Sequence, residues 1–428
     1  TIPLLLGNLF QLTYNAADSV IVGKYVGEQA LAAVGTSTPI MNIAILLISG
    51  MCMGASVLMS SQYGAKDYDT LSRQISTTML AGCGFSVVFS LLMLLLANPV
   101  LRLIRVPETA IPEAAAYLRI IFMGLIFTFM YNFLANTMRA LGDSKTPLYF
   151  LVTSAFLNIF GDLFFVVVLR WGVAGSAIAT VCSEGLCCLL CGIYIKKKIP
   201  LLCLGKKWWV FDKSLLGKTV SYGSTSAMQQ VCLQLGKLII QSVVNTQGVA
   251  VMAAFTAVNR VDDFAYTPQQ NIGHAMTTFL AQNKGAGHKE RMKKGFQTGL
   301  LIELVYSIGV FCVIWGLAPQ IMTLFAEDGD AQVVSLGISY LHLISWMYIL
   351  PGLTNGVQGF FRGIGDLKVT LYSTFMNMFG RVVAVFVMIR LLQMEFASLA
   401  WANMVGWIVM LLFEVPLLVK SMRNGECG

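Results

Sequence analysis

Charged side chains are scarce in this chain, since Asp, Glu, Lys and Arg make up only 12% of its 428 residues. Soluble domains carry roughly 25%, so the composition excludes an ordinary soluble protein. Catalytic signatures are also missing, because the sequence contains no H-E-x-x-H, G-x-S-x-G or paired C-x-x-C motif. We therefore expect no enzyme activity, no cofactor and no firm metal site. A channel is disfavoured as well, because no selectivity-filter sequence repeats.

Hydrophobic residues, by contrast, make up 57% of the chain. They form runs of about 20 residues or more, enough to cross about 30 Å of hydrocarbon, and only helices span lipid at that length. Breaks at proline, glycine and charge clusters predict about twelve spans in an all-α integral membrane protein. The predicted spans cover residues 2–23, 32–62, 75–98, 112–138, 147–169, 173–195, 216–245, 250–283, 296–319, 333–361, 369–391 and 396–419.

The net charge of +8 is distributed as in a membrane protein. Lysine and arginine concentrate after even-numbered spans, as at Lys66, Lys145 and Lys196–Lys198. By the positive-inside rule, those segments and both termini are cytoplasmic. We therefore expect a multi-pass protein of a bacterial-type cytoplasmic membrane, monomeric and in contact with lipid rather than nucleic acid.

Two halves of the sequence repeat each other. RALGDSK at 139–145 recurs as RGIGDLK at 362–368, and QYGA at 62–65 recurs as NKGA at 283–286. A duplicated unit of six spans returns the chain to the same side, so the halves are parallel repeats about an axis along the membrane normal. The predicted parts are an N-lobe, a cytoplasmic linker and a C-lobe, at residues 1–195, 196–215 and 216–428. In the repeated motif, Gly permits a turn, while Asp and Lys cap helices and pair.

Ionisable residues inside the predicted spans are the main functional candidates, because a charge at that depth costs several kcal/mol. Tyr14 and Asp18 share a face of the first span, and Asn158 and Asp162 repeat that spacing in the fifth. Thr180 lies in the sixth. If these helices converge, two carboxylates meet in a low-dielectric pocket that binds H⁺, or Na⁺ through Asp18, Asn158, Asp162 and Thr180. The alternative is that both aspartates only bond helices together.

The second half does not repeat this set. Arg381 occupies the repeat position that corresponds to Asp162, and Asp18 has no obvious counterpart. A purely architectural device would have been kept in both copies, so the asymmetry favours a functional role. The second half has charges of its own. Arg260 and one neighbouring aspartate are predicted to pair, with Lys237 neutralising the other aspartate; a role in the substrate path is equally open. Candidates for lining a substrate cavity are Gln11, Asn132, Asn136, Lys237, Arg260, Asp262 and Asp263.

The sequence leaves three glutamates in the predicted spans undecided, namely Glu184, Glu303 and Glu414. They either pair with neighbouring helices or lie near membrane interfaces.

Several motifs together resemble the multidrug and toxic compound extrusion (MATE) family over essentially the whole chain. They are YNAADSVIVG at 14–23, ALAAVG at 30–35, QYGA at 62–65 and NIFGD at 158–162. The resemblance implies two six-helix lobes around a V-shaped cavity. It also implies export of small organic, often cationic, compounds in exchange for H⁺ or Na⁺.

The resemblance also assigns residues. Asp18 falls on the first-helix carboxylate of the family, and Tyr14, Asn158, Asp162 and Thr180 fall on the N-lobe network of its DinF-like branch. The NorM-like branch uses C-lobe carboxylates in helices seven and ten, where this chain has no Glu in the seventh helix and Asn355 in the tenth. That departure favours N-lobe coupling.

The sequence therefore predicts an ion-coupled multidrug antiporter that works by alternating access. The alternative is a flippase for lipids or lipid-linked precursors, which would have a cavity dominated by basic residues and a groove open to lipid.

Overall fold

The computed structural model describes residues 7, 10, 18, 21–22, 24–103, 106, 108, 110–198, 209–325, 331–391, 396 and 398–423. Two compact units divide the chain, Ile2–Ala227 (the N unit) and Met228–Gly428 (the C unit). Their boundary falls inside one long helix, and the lobe limits drawn from the sequence stay a prediction.

The N unit is built from helices throughout its described part. We label the helical residues described between positions 7 and 25 as α1. The others are α2 (Glu28–Gly64), α3 (Tyr68–Leu103), α4 (Ile111–Met123), α5 (Leu125–Ala140), α6 (Lys145–Asp162), α7 (Gly172–Lys198) and the first part of α8 (Lys213–Val244).

The C unit repeats this order of elements. After the rest of α8 come α9 (Val249–Gly285), α10 (Lys289–Phe325), α11 (Ala331–Ser345), α12 (Ile349–Ile364), α13 (Leu367–Phe386) and α14 (Ser398–Arg423). The packing repeats too: α2 lies against α5 as α9 lies against α12, and α6 lies against α7 as α13 lies against α14.

The helices confirm the prediction of an all-α membrane protein. In the described ranges, eight helices are long and apolar enough to span a membrane, or nine if α4 and α5 count as one. Most predicted limits lie within a few residues of the observed ones. Two spans were drawn too short, because 75–98 is part of Tyr68–Leu103 and 296–319 is part of Lys289–Phe325.

Both short predictions have the same physical cause. Each helix begins with a polar, charged turn that carries no hydrophobic signal, and each continues through a proline, Pro99 or Pro319. Proline is tolerated inside membrane helices, where neighbouring groups satisfy the carbonyl that loses its partner.

Breaks inside the spans were not predicted. The pair α4 and α5 bends by 46° at Gly124, and the corresponding pair α11 and α12 is separated by a 3₁₀ turn at Trp346–Tyr348. The helices α6 and α13 each end in a π-helical segment, Leu163–Val168 and Val387–Leu391. Such irregular turns occur frequently at functional sites.

The repeated RxxGD motif forms a turn between two helices, as predicted. Gly142 and Gly365 have positive φ angles of 94° and 85°, and Asp143 accepts hydrogen bonds from the backbone of Lys145 and Thr146. In the second copy, the Asp366 side chain caps α13 at Val369 N. No ion pair joins the motif's Asp and Lys in the described part of the chain.

The first part of α8 packs closely on α2 within the N unit. A Cβ atom on Gly50 would lie 2.6 Å from Ala227 Cα, and one on Gly54 would lie 2.4 Å from the Tyr222 carbonyl oxygen. Small residues one turn apart allow backbones to approach in this way in membrane helices.

Candidate functional site

Small residues bring α6 and α7 into close contact beside the aspartates of the N unit. A Cβ atom on Gly161 would lie 2.9 Å from Ala179 Cβ, and one on Gly175 would lie 3.1 Å from the backbone of Phe165. Because the two helices approach so closely, polar side chains on their facing sides reach each other. Asn158 Nδ2 donates to Thr180 Oγ1 at 3.1 Å.

One helical turn further along, three helices meet at Asp18. Ser176 Oγ on α7 donates to Asp18 Oδ1 on α1 at 2.5 Å. The carboxyl group of Asp162, at the end of α6, lies within hydrogen-bonding reach of the Asp18 carboxyl group. Asp162 is fully buried, Asn158 is 2% exposed and Asp18 is half-buried, so the pocket is shielded from solvent around Asp162 and partly accessible at Asp18.

Several hydrogen-bond acceptors in this pocket have no matching donor in the described part of the chain. Neither carboxyl oxygen of Asp162, nor the amide oxygen of Asn158, accepts a hydrogen bond from any donor in the described part of the chain. Two adjacent carboxylates repel strongly where the dielectric constant is low. A proton shared between them, or a cation held by their oxygens, removes that repulsion. The geometry thus suits reversible binding of a small cation.

The structure brings together four of the residues proposed from sequence, namely Asp18, Asn158, Asp162 and Thr180. Tyr14 lies outside the described residues, as does the cavity candidate Gln11. Sequence reasoning missed Ser176, which is fully buried. Its position one turn before Thr180 on the same helix face was a usable signal.

The buried carboxylate of Asp262, in the C unit, accepts hydrogen bonds from neighbouring side chains. Asp262 is 4% exposed and accepts hydrogen bonds from Tyr348 Oη and, at 3.3 Å, from Tyr340 Oη. Arg381, the repeat counterpart of Asp162, lies close enough to attract it. Asp262 therefore has fixed hydrogen-bond donors, which Asp162 lacks in the described part of the chain.

The other charges of this group are exposed. Lys237 Nζ lies 3.5 Å from Asp263 Oδ1, and both side chains are more than half exposed, at 56% and 57%. The predicted ion pair of Arg260 with an aspartate is not found among the described residues, because Asp263 pairs with Lys237 and Asp262 with tyrosines. The prediction that Lys237 neutralises one aspartate is confirmed.

The remaining cavity candidates, Asn132 and Asn136, are half-buried on α5. Each side-chain amide donates at 2.9 Å to the backbone carbonyl one turn earlier, at Thr128 and Asn132 respectively. These bonds tie both amide groups to their own helix.

Of the three undecided glutamates, Glu303 and Glu414 are buried and Glu184 is half-buried. Glu184 accepts a hydrogen bond from Thr128 Oγ1, and Glu414 lies beside Arg362. Glu303 has no hydrogen-bond donor for either carboxyl oxygen in the described part of the chain.

Substitutions in the two C-unit carboxylate sites should differ in cost. We expect Lys237→Gln to change the free energy of unfolding by less than about 1 kcal/mol, because exposed ion pairs contribute little. Tyr348→Phe should cost about 1–3 kcal/mol, because it removes a donor from a buried carboxylate. Thermal unfolding of the detergent-purified variants measures both. Equal losses of stability would contradict this assignment.

Comparison with known proteins places this chain in one family. The MatE family model matches it twice, at residues 3–164 and 226–387. A "Probable multidrug resistance protein YpnP" of Bacillus subtilis is 31% identical over 374 residues, covering 87% of this chain and 82% of that protein. A "Probable multidrug resistance protein NorM" of Thermotoga maritima is 23% identical, covering 95% of this chain and 88% of that protein.

Solved structures share the fold. One is described as "Crystal structure of MATE in complex with MaL6". It superposes with a TM-score of 0.92 at 23% identity, covering 100% of this chain and 95% of that one. A transporter of the MOP superfamily from Pyrococcus furiosus gives a TM-score of 0.90 at 21% identity, with 99% and 95% covered. The doubled match, the curated relatives and the shared fold establish that this chain belongs to the MATE family of membrane transporters.

Proposed function

We propose that this protein is a secondary active antiporter that exports small organic, often cationic, compounds in exchange for H⁺ or Na⁺. The observation that carries the proposal is the meeting of Asp18 and Asp162 in one pocket of the N unit, where Asp162 is fully buried. The printed names of its Bacillus and Thermotoga relatives, which refer to multidrug resistance, support the substrate class.

In the proposed mechanism, the coupling ion controls how α1 is held. Asp18 connects α1 to α7 through Ser176 and to α6 through Asp162. With the ion bound, the two carboxyl groups attract each other through it and α1 stays docked. When the ion leaves, two carboxylates repel and α1 is released. Moving one charge through 100 mV is worth about 2.3 kcal/mol, which biases such a two-state equilibrium appreciably.

Coupling is assigned to the N unit, as in the DinF-like branch. The C unit offers Asn355 at the tenth-helix position, and α8 contains no acidic residue. Its buried Asp262 already has tyrosine donors and a nearby arginine. Such a fixed site has less need of an incoming ion than the pair in the N unit.

The exposed pair of Lys237 and Asp263 is proposed to border the substrate path. Charged side chains within membrane-spanning helices face water-filled cavities or protein rather than lipid, because lipid contact is costly. Both residues keep more than half of their side-chain surface accessible. We place the protein in a bacterial-type cytoplasmic membrane as a monomer with both termini cytoplasmic.

Transport by purified protein in liposomes tests the proposal. A fluorescent organic cation is loaded, and a pH gradient and a Na⁺ gradient are applied in separate experiments. We expect one of the gradients to drive the cation against its own concentration difference, with saturable kinetics and opposite ion flux. Lipid scrambling without gradient-driven transport would reject the proposal in favour of the flippase alternative, and an unsaturable current would reject it in favour of a channel.

A further inference from the structure

A buried carboxyl group without a hydrogen-bond donor in the described structure lies in the C unit, and the proposed mechanism does not use it. Glu303 on α10 is 1% exposed, and neither of its carboxyl oxygens accepts a hydrogen bond in the described structure. It makes no ion pair with a described Lys or Arg. A charge buried in this way is very costly unless something neutralises it.

The polar groups beside Glu303 have already used their donors on other acceptors. Gln269 Nε2 on α9 donates to Ser307 Oγ at 3.0 Å and to the Tyr348 carbonyl at 2.8 Å. The single hydroxyl proton of Ser307 is shared between the backbone carbonyls of Glu303, at 2.7 Å, and Tyr348, at 3.2 Å. What remains is a set of acceptors: the Glu303 carboxyl oxygens and the unpaired amide oxygen of Gln269.

These groups surround the broken part of a spanning helix. Tyr348 belongs to the 3₁₀ turn between α11 and α12. A Cβ atom on Gly352, one turn later, would lie 2.8 Å from Ser307 Oγ, 3.3 Å from Gln269 Nε2 and 3.5 Å from Glu303 Oε2. Carbonyl groups at helix breaks coordinate monovalent cations in other membrane transporters.

The other half of the chain shows that the fold does not require a carboxyl group here. Gly82 is the repeat counterpart of Glu303, because each lies twenty residues after the matching motif residue, Gln62 or Asn283. Phe129 is the counterpart of Gly352, because each lies ten residues before the motif arginine, Arg139 or Arg362. In the N unit, a Cβ atom on Gly82 would lie 1.9 Å from the Phe129 ring.

The same helix crossing is therefore filled by an aromatic ring in one unit and by a carboxyl group in the other. Gln269 likewise corresponds to the buried, apolar Ile48. Since the N unit packs this position with apolar groups, the acidic set in the C unit has a reason other than packing.

We propose that the Glu303 carboxyl group and the Gln269 side-chain oxygen, beside Ser307 Oγ and the 3₁₀ turn at Tyr348, form a second site for a monovalent cation, H⁺ or Na⁺. One carboxylate among neutral oxygens carries a single negative charge, which matches one monovalent ion, and oxygen ligands suit Na⁺. Among the described residues, Tyr306 is a titratable side chain close enough to Glu303 to interact with its charge. The site is distinct from the Asp18 and Asp162 pair and does not depend on its proposed role.

Equilibrium ion binding to purified protein tests this site without requiring transport. Binding of ²²Na⁺ is measured at fixed pH, and proton uptake is measured by titration without Na⁺, which distinguishes the two ions. We expect the Glu303→Gln variant to bind one Na⁺ or one H⁺ fewer per protein than the wild type. The ion that is lost in the Asp162→Asn variant should still bind to Glu303→Gln. The double variant should lose both. Wild-type binding of both ions by Glu303→Gln would overturn the proposal.

A matched control and a second variant distinguish loss of the ion site from loss of the folded structure. Glu414→Gln changes another buried glutamate, but one that lies beside Arg362, and it should keep the wild-type number of bound ²²Na⁺ ions. The combination of Glu303→Gly with Gly352→Phe copies the packing of the N unit and should fold. If this combination still binds as many ions as the wild type, the site does not exist.

Discussion

Asp162→Asn is expected to lower the initial rate of ion-driven efflux by roughly 10- to 100-fold, within the range of a typical coupling free energy. An asparagine side chain can neither take up a proton nor supply negative charge to a cation. It also offers a permanent amide donor to Asp18. The pair would then behave as if an ion were always bound, and α1 would no longer respond to the gradient.

Asp18→Asn should have the same effect, since the two carboxyl groups act together. The matched control is Asp143→Asn, which changes an aspartate that caps α6 through Lys145 N and Thr146 N. Asparagine caps helices about as well as aspartate, so this variant should transport normally. Coupled transport at the wild-type rate in both Asp18→Asn and Asp162→Asn would remove the basis of the proposed mechanism.

Gly54→Ala is expected to destabilise the protein by about 2–3 kcal/mol, the upper part of the range for overpacking. The added methyl group would lie 2.4 Å from the Tyr222 carbonyl oxygen and 2.7 Å from Gly223 N. These are backbone atoms of α8, so no side-chain rotation relieves the contact. The two helices would have to separate and lose their packing.

Gly84→Ala on α3 is the control for this second experiment, because nothing lies within 4 Å of its Cβ position. In a helix, Ala is favoured over Gly by about 0.5–1 kcal/mol, so this variant should unfold at the same temperature as the wild type or slightly higher. Thermal unfolding followed by size-exclusion fluorescence measures both variants. A Gly54→Ala protein as stable as Gly84→Ala would show that α2 and α8 are not in close contact.

Much of the architecture was predictable because its signal is local. A run of apolar residues is a property of one segment, and predicted spans such as 173–195 and 333–361 lie close to the observed Gly172–Lys198 and to the pair α11 and α12. The duplicated RxxGD motif likewise predicted its own turns. Predicted spans were too short where a proline inside the helix suggested an end, as at Pro99. They were also too short where the first turn is charged and carries no hydrophobic signal, as in α10.

The candidate site was predictable only in part. The spacing of Asn158 and Asp162 placed both on one face of α6, but their meeting with Asp18 depended on helices converging from distant parts of the chain. Ser176 and the neighbours of Glu303 were not identified, and the expected pairing of Arg260 was not found among the described residues.

The amino-acid sequence by itself determined that this protein crosses a membrane, that it is built from two related halves and that the halves differ in their buried charges. Only the tertiary structure decided which charges have partners. It joins Asp18 to Asp162, gives Asp262 its tyrosine donors and leaves Glu303 without a donor in the described structure. The physical reason is that hydropathy and helical spacing act along the chain, whereas the partner of a buried charge is set by contacts between helices, such as that of Gly161 with Ala179.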